Sequence, residues 1–209
     1  MVYNVLIEKI NTLSYGAFLM KTERMEQSER LDRQAWIEAA FAQLGEAGVD
    51  AIRVEPLAKR LGITKGSFYW HFRDRDDLLA AVLEAWEDRE TDHYIAAVEA
   101  AGGQPGERLR RLFRMILADG AALAPELAIR DWARRDKRTA EAVLKIDTRR
   151  SAYLQDRFVE AGQPQGEAQA RAALLYGLLM GEVMIRRRES PEERTARIDR
   201  ALVLLTGDR

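Results

Sequence analysis

The short segment between Arg53 and Arg75 is rich in basic, hydroxyl-bearing and aromatic side chains. Its six basic residues outnumber its two acidic ones, so the segment carries a net +4, whereas the whole chain carries −1. The basic residues are Arg53, Lys59, Arg60, Lys65, Arg73 and Arg75, and the acidic ones are Glu55 and Asp74. Such cations and hydroxyl groups donate hydrogen bonds to phosphate oxygens and to base edges. This local charge favours a nucleic-acid partner.

Two short helices joined by a tight turn would position these side chains. A first helix is expected over Val54–Leu61, ended by Gly62, because glycine adopts a left-handed backbone at little cost. A second is expected to begin after Thr64, a good N-cap residue, and to end near Phe72. The apolar residues spaced for burial between the helices are Leu57, Leu61, Ile63, Phe68 and Phe72. This pattern predicts a helix-turn-helix, whose second helix lies in the major groove of DNA.

The outward side chains of the second helix are the candidates for DNA contact. Basic residues on either side of the unit can clamp the phosphate backbone, and the free amides at the helix start suit a phosphate. The predicted DNA-binding residues are Arg53, Thr64, Lys65, Ser67, Tyr69, Trp70, His71 and Arg75. For His71, a buried capping role remains an equal alternative. For Lys59 and Arg60, a solvated surface role is favoured over base reading.

In these residues the chain resembles the DNA-binding domain of the tetracycline-repressor (TetR) family. The resemblance runs from Trp36 to Leu83 and rests on Ala39-Ala40, Gly48, Leu57-Ala58, Gly62-Ile63-Thr64, Phe68-Tyr69-Trp70-His71-Phe72 and Arg75-Asp76-Asp77-Leu78-Leu79. It implies that Thr64, Lys65, Ser67, Tyr69 and His71 lie at the DNA surface. It also implies that Arg75, where the family more often has lysine, meets a phosphate. Arg53 departs from the family, which usually carries a small hydroxyl residue there as a helix cap.

The rest of the chain is predicted to be helical, so we expect an all-α protein. Prolines number only 5 in 209 residues, and good helix formers dominate. The helix-turn-helix domain is assigned to residues 31–77 and starts with a helix near Asp32–Ala47. A larger helical-bundle domain, for ligand binding and dimerisation, is assigned to residues 78–209. A fourth helix begins at Asp74 and runs towards Ala100; later ones are expected near 106–119, 124–135, 138–161, 167–188 and 191–206. Residues 1–30 form an N-terminal extension, for which three interpretations stay open. It is a flexible arm, it is an added helix, or it results from a start codon assigned too far upstream.

The second domain follows the family only in its helical plan, and its candidate residues come from apolar patterning. The helix near 167–188 is too apolar to be exposed, so we expect it to meet a second copy of the chain together with the last helix. The candidate interface residues are Leu174, Gly177, Leu178, Gly181, Ile185, Ile198, Leu202 and Leu205; ordinary core packing is the alternative. The candidate liners of an effector pocket are Trp86, Phe113, Leu117, Trp132, Leu144, Tyr153 and Met180. Residues 130–136 are interpreted as a solvated helix face around Trp132.

Composition argues against several other classes of protein. The chain has no cysteine and two histidines, so thiolate metal sites and disulfides are excluded and a histidine-rich metal site is unexpected. It lacks a glycine-rich phosphate loop and an activated nucleophile, so we expect no enzyme activity, cofactor or metal. Its longest apolar run is too short to span a bilayer, and we expect a cytoplasmic protein.

The predicted function is that of a homodimeric transcriptional regulator, a repressor that releases operator DNA when a small molecule binds. The alternatives are an activator, and a helical adaptor that has lost DNA binding.

Overall fold

The computed structural model describes residues 33–118, 123–185 and 187–206, and over these residues the chain is all helical. The predicted extension over 1–30 and the predicted cap Asp32 lie outside the described residues. The helices are α1 (residues 33–47), α2 (Val54–Leu61), α3 (Lys65–His71), α4 (Arg75–Glu87), α5 (His93–Ala100), α6 (Pro105–Ala118), α7 (Leu123–Ala133), α8 (Lys137–Glu160), α9 (Gln165–Met184) and α10 (Pro191–Thr206). A 3₁₀ turn (Val49–Ala51) precedes α2, and a π-helical turn (Asp88–Asp92) joins α4 to α5. The prediction of an all-α fold is confirmed.

Helix α9 ends earlier than its sequence pattern predicts. It stops at Met184 rather than continuing to residue 188, because Ile185 has an extended backbone (φ −96°, ψ 113°). The chain beyond turns back, and Arg187, Arg194 and Arg197 all reach the carboxylate of Glu182. These ion pairs hold the start of α10 against the end of α9, so tertiary contacts override the local preference for helix.

Two hydrophobic cores lie along the chain. The first is built from α1 to α4 and also takes in Ile129 of α7 and Ile146 of α8. The second is built from α5, α6, α8, α9 and α10. Helix α4 contributes to the first core as far as Trp86, which is fully buried. The first core therefore extends past residue 77, and α4 ties the helix-turn-helix to the larger domain.

The corner between α2 and α3 depends on Gly62. Its backbone is left-handed (φ 69°, ψ 25°), and its amide donates to the carbonyl of Lys59 at 3.2 Å. The amide of Ile63 then donates to the carbonyl of Ala58 at 3.0 Å. These bonds satisfy carbonyls that the end of a helix leaves without partners. The corner thus needs the backbone freedom of glycine rather than space, since a Cβ at this position would meet nothing within 4 Å.

We expect Gly62→Ala to destabilise the protein by about 1–2 kcal/mol, because alanine must adopt a left-handed backbone there. Gly66→Ala, one turn away, is the matched control. Gly66 lies inside α3, and the nearest atom to an added Cβ is Thr64 Oγ1 at 3.7 Å. That variant should gain roughly 0.5–1 kcal/mol, because alanine favours the helix. Urea unfolding of both variants measures the two shifts, and a shift of the same sign in both would contradict this account.

Candidate nucleic-acid interface and ligand pocket

Helix α3 is held in place by its aromatic inner face. Phe68 is fully buried, and its ring meets that of Trp36 of α1 edge-on, with ring centroids 5.2 Å apart. Phe72 stacks on Phe68 with centroids 5.4 Å apart. The sequence interpretation of Phe68 and Phe72 as core residues is confirmed. Anchoring one face of so short a helix fixes the directions of all its other side chains.

The remaining face of α3 is open to solvent. Tyr69 is 58% exposed and Trp70 is 87% exposed, which is unusual for large aromatic side chains. Lys65 is exposed as well, whereas Ser67 and His71 are half-buried. The predicted contact residues of α3 therefore share one accessible surface, with His71 at its margin.

Lys65 is engaged in an ion pair in the free protein. Its Nζ lies 2.6 Å from a carboxylate oxygen of Glu55 on α2, and both side chains are exposed. This hydrogen bond raises the pKa of Lys65 and lowers that of Glu55. An exposed pair of this kind is weak and is screened by salt. A phosphate can therefore replace Glu55 as the partner of the lysine.

The predicted side-chain cap at Thr64 is absent. Thr64 has the extended backbone of an N-cap residue (φ −84°, ψ 151°), but its side chain makes no capping hydrogen bond. Arg53 holds the equivalent position before α2, also without a side-chain cap, and is exposed. The prediction that Ile63 is buried is corrected too, since Ile63 follows the corner and is 39% exposed. The start of α3 thus keeps amide groups accessible to a phosphate.

Arg75 has an internal role that sequence reasoning missed. Its Nε donates to the carbonyl of Ile52 at 2.7 Å, and a terminal nitrogen donates to the carbonyl of Val49 at 2.6 Å. The side chain is half-buried and braces the turn before α2 against the start of α4. The predicted start of α4 at Asp74 is confirmed, and the carboxylate of Asp74 caps the helix by accepting from the amide of Asp77 at 2.9 Å.

We expect Arg75→Ala to destabilise the protein by about 1–3 kcal/mol, because two carbonyls lose charged donors. If bracing is its main role, the salt dependence of DNA binding should stay as in the wild type. Urea unfolding and affinities across a salt series measure both quantities. Unchanged stability together with a salt slope lowered by about one would instead assign Arg75 to a phosphate.

Other cations surround α3 and differ in how they are engaged. Arg60 makes a bidentate pair with Glu46, with both N–O distances 2.8 Å. Arg73 lies 3.6 Å from a carboxylate oxygen of Asp77. Arg53 and Lys59 are exposed, and their side chains make no hydrogen bond or ion pair within the part of the chain that the structure describes. These two side chains therefore add positive charge beside α3 that nearby carboxylates do not offset.

A pocket in the larger domain opens between α5, α6, α8 and α9. The space in it that a water-sized sphere can reach is about 50 Å³, within a wider empty region of about 620 Å³ that includes open solvent. The residues that line it are Thr91, Tyr94, Ile95, Leu112, Phe113, Ile116, Glu126, Arg150, Tyr153, Leu154, Tyr176, Leu179, Met180 and Val183. The predicted liners Phe113, Tyr153 and Met180 are among them. A mainly apolar wall with a few polar groups is typical of sites that bind small molecules.

Four predicted pocket residues lie elsewhere, which corrects their assignment. Trp86 is fully buried in the first core, where it packs behind the pocket rather than lining it. Leu117 and Trp132 line two other surface concavities. Leu144 is 67% exposed on the outer side of α8. These positions were predicted from their apolar residue type alone, whereas the direction of each side chain depends on how the helices pack.

The polar end of the pocket is a buried ion network that sequence reasoning missed. Glu126 accepts from Arg130 at 2.7 Å and from Arg150 at 3.2 Å. Arg130 also donates to Asp147 at 2.6 Å, and to the hydroxyl of Tyr176 at 3.0 Å. Arg130 is therefore not part of a solvated face, which corrects that interpretation. The spacing of Glu126 and Arg130, four residues apart on one helix, was the available sequence signal.

Ionisation within this network is set by competing effects. Burial opposes the charge on Asp147, but hydrogen bonds from Arg130 and Tyr176 outweigh it, so the pKa of Asp147 lies below its ordinary value. Burial raises the pKa of Tyr176. At the pocket wall, burial and a hydrogen bond to Glu99 raise the pKa of Tyr153 to about 12. The carboxylate is thus charged and both phenols are neutral near neutral pH.

An apolar stripe lies on the outer side of α9. Leu174 is 61% exposed, and Gly177, Leu178 and Gly181 follow it at helical spacing; Ile185, directly after the end of α9, is 53% exposed. All five were predicted to face a second copy. A stripe of this kind is typical of a surface that another helix covers.

The expected contribution of α10 to an interface needs correction. Ile198 and Leu202 are buried in the second core of their own chain, and the half-buried Leu205 packs against that core. The apolar residues of α10 that point outward are Val203 and Leu204. The apolar residues expected to meet a partner do form one face of α10, but α6 and α9 of the same chain already cover that face.

Comparisons with known proteins agree with this geometry. Residues 37–82 match the family model "Bacterial regulatory proteins, tetR family". The chain is 33% identical over 140 residues to tetracycline repressor protein class A from transposon 1721 of Escherichia coli, which covers 66% of the chain and 59% of that protein. It is 29% identical over 94 residues to the HTH-type transcriptional regulator AcrR of Shigella flexneri, covering 45% of the chain and 42% of that protein. The chain thus spans about half the length of these relatives.

A solved structure extends the similarity to the larger domain. AibR, crystallised with isovaleryl coenzyme A and operator DNA, superposes with a TM-score of 0.64 at 19% identity, covering 84% of this chain and 98% of AibR. At this identity the likeness concerns the fold. Among the described residues, neither a helix long and apolar enough to cross a membrane nor a group of three metal-ligating side chains is present.

Proposed function

We propose that this chain is a DNA-binding transcriptional regulator of the tetR family of bacterial regulatory proteins, whose model its residues 37–82 match. In this proposal a homodimer binds operator DNA, represses transcription, and releases the DNA when a small molecule occupies the pocket. The observation that carries it is the outer face of α3. Tyr69 and Trp70 are exposed there, while Phe68 anchors the same helix in the core.

The chemistry of that face supports duplex DNA as the partner. Lys65 can exchange Glu55 for a phosphate, and Tyr69 can donate to a base edge or phosphate. Arg53 and Lys59 lie exposed nearby and add sequence-independent attraction to the backbone. The proposed DNA contacts remain Arg53, Thr64, Lys65, Ser67, Tyr69, Trp70 and His71, whereas Arg75 acts mainly as a brace.

The outer stripe of α9 supports a twofold dimer. Two copies that pair along Leu174, Gly177 and Gly181 would present two α3 helices to one duplex. Half-sites one helical turn apart, about 34 Å, then match the two helices. The contact of α4 with both domains supports release by a ligand, since a shift of α4 would change the spacing of the two heads.

Selection of DNA from the source genome tests the proposed function. The purified protein is mixed with genomic fragments, bound fragments are sequenced, and the shared site is confirmed by gel shift. We expect an inverted repeat with half-sites about one helical turn apart. A reporter gene placed behind that site should be expressed more strongly when the regulator is deleted. Enrichment no better than that of random fragments would refute specific DNA binding.

The proposal places the protein in the cytoplasm, where its DNA target is, and assigns it no enzyme activity. Family membership supports both points.

A further inference from the structure

A carboxylate lies beside the reading helix, on the surface that the proposed function assigns to DNA. Glu55 is in the first turn of α2, its side chain is 73% exposed, and its Oε1 lies 2.6 Å from Nζ of Lys65, the first residue of α3. The hydrogen bond with Glu55 raises the pKa of Lys65, and Tyr69, one turn further along α3, adds to this effect. Glu55, Lys65 and Tyr69 therefore form one exposed cluster of side chains at the start of α3.

A carboxylate on a surface that meets a polyanion weakens binding unless it finds a donor. The hydrogen bond from Lys65 lowers the pKa of Glu55, so this side chain is charged near neutral pH. When Lys65 turns to a phosphate, Glu55 loses that partner and is repelled by the phosphates around it. A like charge placed across an interface costs binding free energy and suppresses the wrong partners. Glu55 thus penalises every DNA that offers it no hydrogen-bond donor.

Cytosine is the base whose major-groove edge suits a carboxylate. It presents the N4 amino group, a donor, without an acceptor beside it. Adenine also has an amino group, but its N7 acceptor lies next to that group and repels a carboxylate. Guanine presents two acceptors, and thymine presents an acceptor and a methyl group.

We propose that Glu55 is a specificity-determining residue: once Lys65 has moved to a phosphate, Glu55 accepts a hydrogen bond from the N4 amino group of one cytosine in each half-site. The inference rests on the proposed function, because it concerns the same DNA surface. In this arrangement Lys65 binds DNA of any sequence, whereas Glu55 restricts tight binding to DNA that carries the cytosine.

Selection from a library of random duplexes tests this reading with the full-length protein. We expect wild-type sites to hold a cytosine, on either strand, at one position of each half-site, preferred by roughly tenfold over the other bases. Glu55→Ala should accept any base at that position. Glu55→Gln should shift the preference towards adenine, because a carboxamide pairs with both N6 and N7 of that base. The same cytosine preference in the wild type and in Glu55→Ala would overturn the proposal.

A modified base locates the contact at one atom. N4-methylcytosine still pairs with guanine, but its methyl group replaces the N–H that points into the major groove. Placed in the selected operator, it should weaken wild-type binding by roughly tenfold in a gel shift and leave the binding of Glu55→Ala unchanged. Equal weakening of both proteins would assign the contact to another residue and overturn the proposal.

Control variants separate base reading from charge and from folding. Glu55→Ala frees Lys65, so it should bind random DNA more tightly and steepen the salt slope by about one. Lys65→Ala should keep the cytosine preference, since Glu55 remains. Glu46→Ala removes the same charge from an exposed pair with Arg60 of α2, and it should also keep the preference. A purely structural role of Glu55 at the start of α2 would change the unfolding temperature without changing the preferred base.

Failure of this inference is distinguishable from failure of the proposed function. If the wild type enriches no site at all, the regulator is refuted and the reading by Glu55 falls with it. If the wild type and Glu55→Ala enrich the same site, the regulator stands and the reading by Glu55 alone is refuted.

Discussion

Tyr69→Ala is expected to weaken binding to the specific operator by about a hundredfold or more, while the affinity for random DNA changes little. Tyr69 is 58% exposed on the outer face of α3, so its removal costs a contact to a base edge more than core packing. Lys65→Ala should also weaken operator binding, but because Lys65 meets a phosphate it should weaken binding to random DNA as well and lower the salt slope by about one. Gel shifts with operator and random duplexes measure both affinities.

Two controls make this first prediction specific. Lys59→Ala removes an exposed cation from α2, and we expect a small loss that is equal for operator and random DNA. Tyr69→Phe keeps the ring and removes the hydroxyl group, so it shows which part of the side chain binds. The unfolding temperatures of all variants should stay near that of the wild type. Wild-type operator affinity in both Lys65→Ala and Tyr69→Ala would contradict the assignment of α3 as the reading helix.

Gly177→Arg is expected to convert the proposed dimer into a monomer and to weaken binding to a two-half-site operator by about 10²–10⁴-fold. A Cβ at Gly177 meets nothing within 4 Å in the chain itself, so the protomer can accept a larger side chain. A partner helix that lies close to the glycine cannot accept it. Without the dimer, the second half-site no longer binds at a high effective concentration.

Gly166→Arg is the matched control for this second prediction. Gly166 lies on the same helix, is exposed, and is also open to an added Cβ, but it is about three turns from Gly177. We expect it to leave both the dimer and the DNA affinity unchanged. Sedimentation velocity reports the oligomeric state, and gel shift reports the affinity. A dimeric Gly177→Arg with wild-type operator affinity would exclude this stripe as the interface.

Helix α4 gives the proposed release of DNA a physical route. Its inner face lies in the first core with α1 and α3, and Trp86 at its far end donates to Glu126 beside the pocket. A π-helical turn follows directly and carries Thr91, which accepts from Arg150. Such turns inside helices are frequent at functional sites. Changes at the pocket wall thus reach the reading head through one continuous helix.

Local patterns in the amino-acid chain were enough to identify α2, the corner at Gly62, α3 and the start of α4 at Asp74. Each of these depends on residues within a few positions of one another: a left-handed glycine, a helix-end carboxylate, and aromatic residues four apart on one face. For the same reason the exposed positions of α3 followed directly from the burial of Phe68 and Phe72. The apolar stripe of α9 was visible in the same way.

Side-chain partners distant in sequence were decided only by tertiary packing. Arg75 was predicted to bind a phosphate, but in the folded chain its guanidinium donates to the carbonyls of Val49 and Ile52. Arg130 was predicted to lie on a solvated helix face, but in the folded chain it donates to Asp147 of α8. Residue type and helical period determine which face of a helix is apolar or charged. They do not determine which neighbouring helix covers that face, because this depends on the packing of all the helices at once.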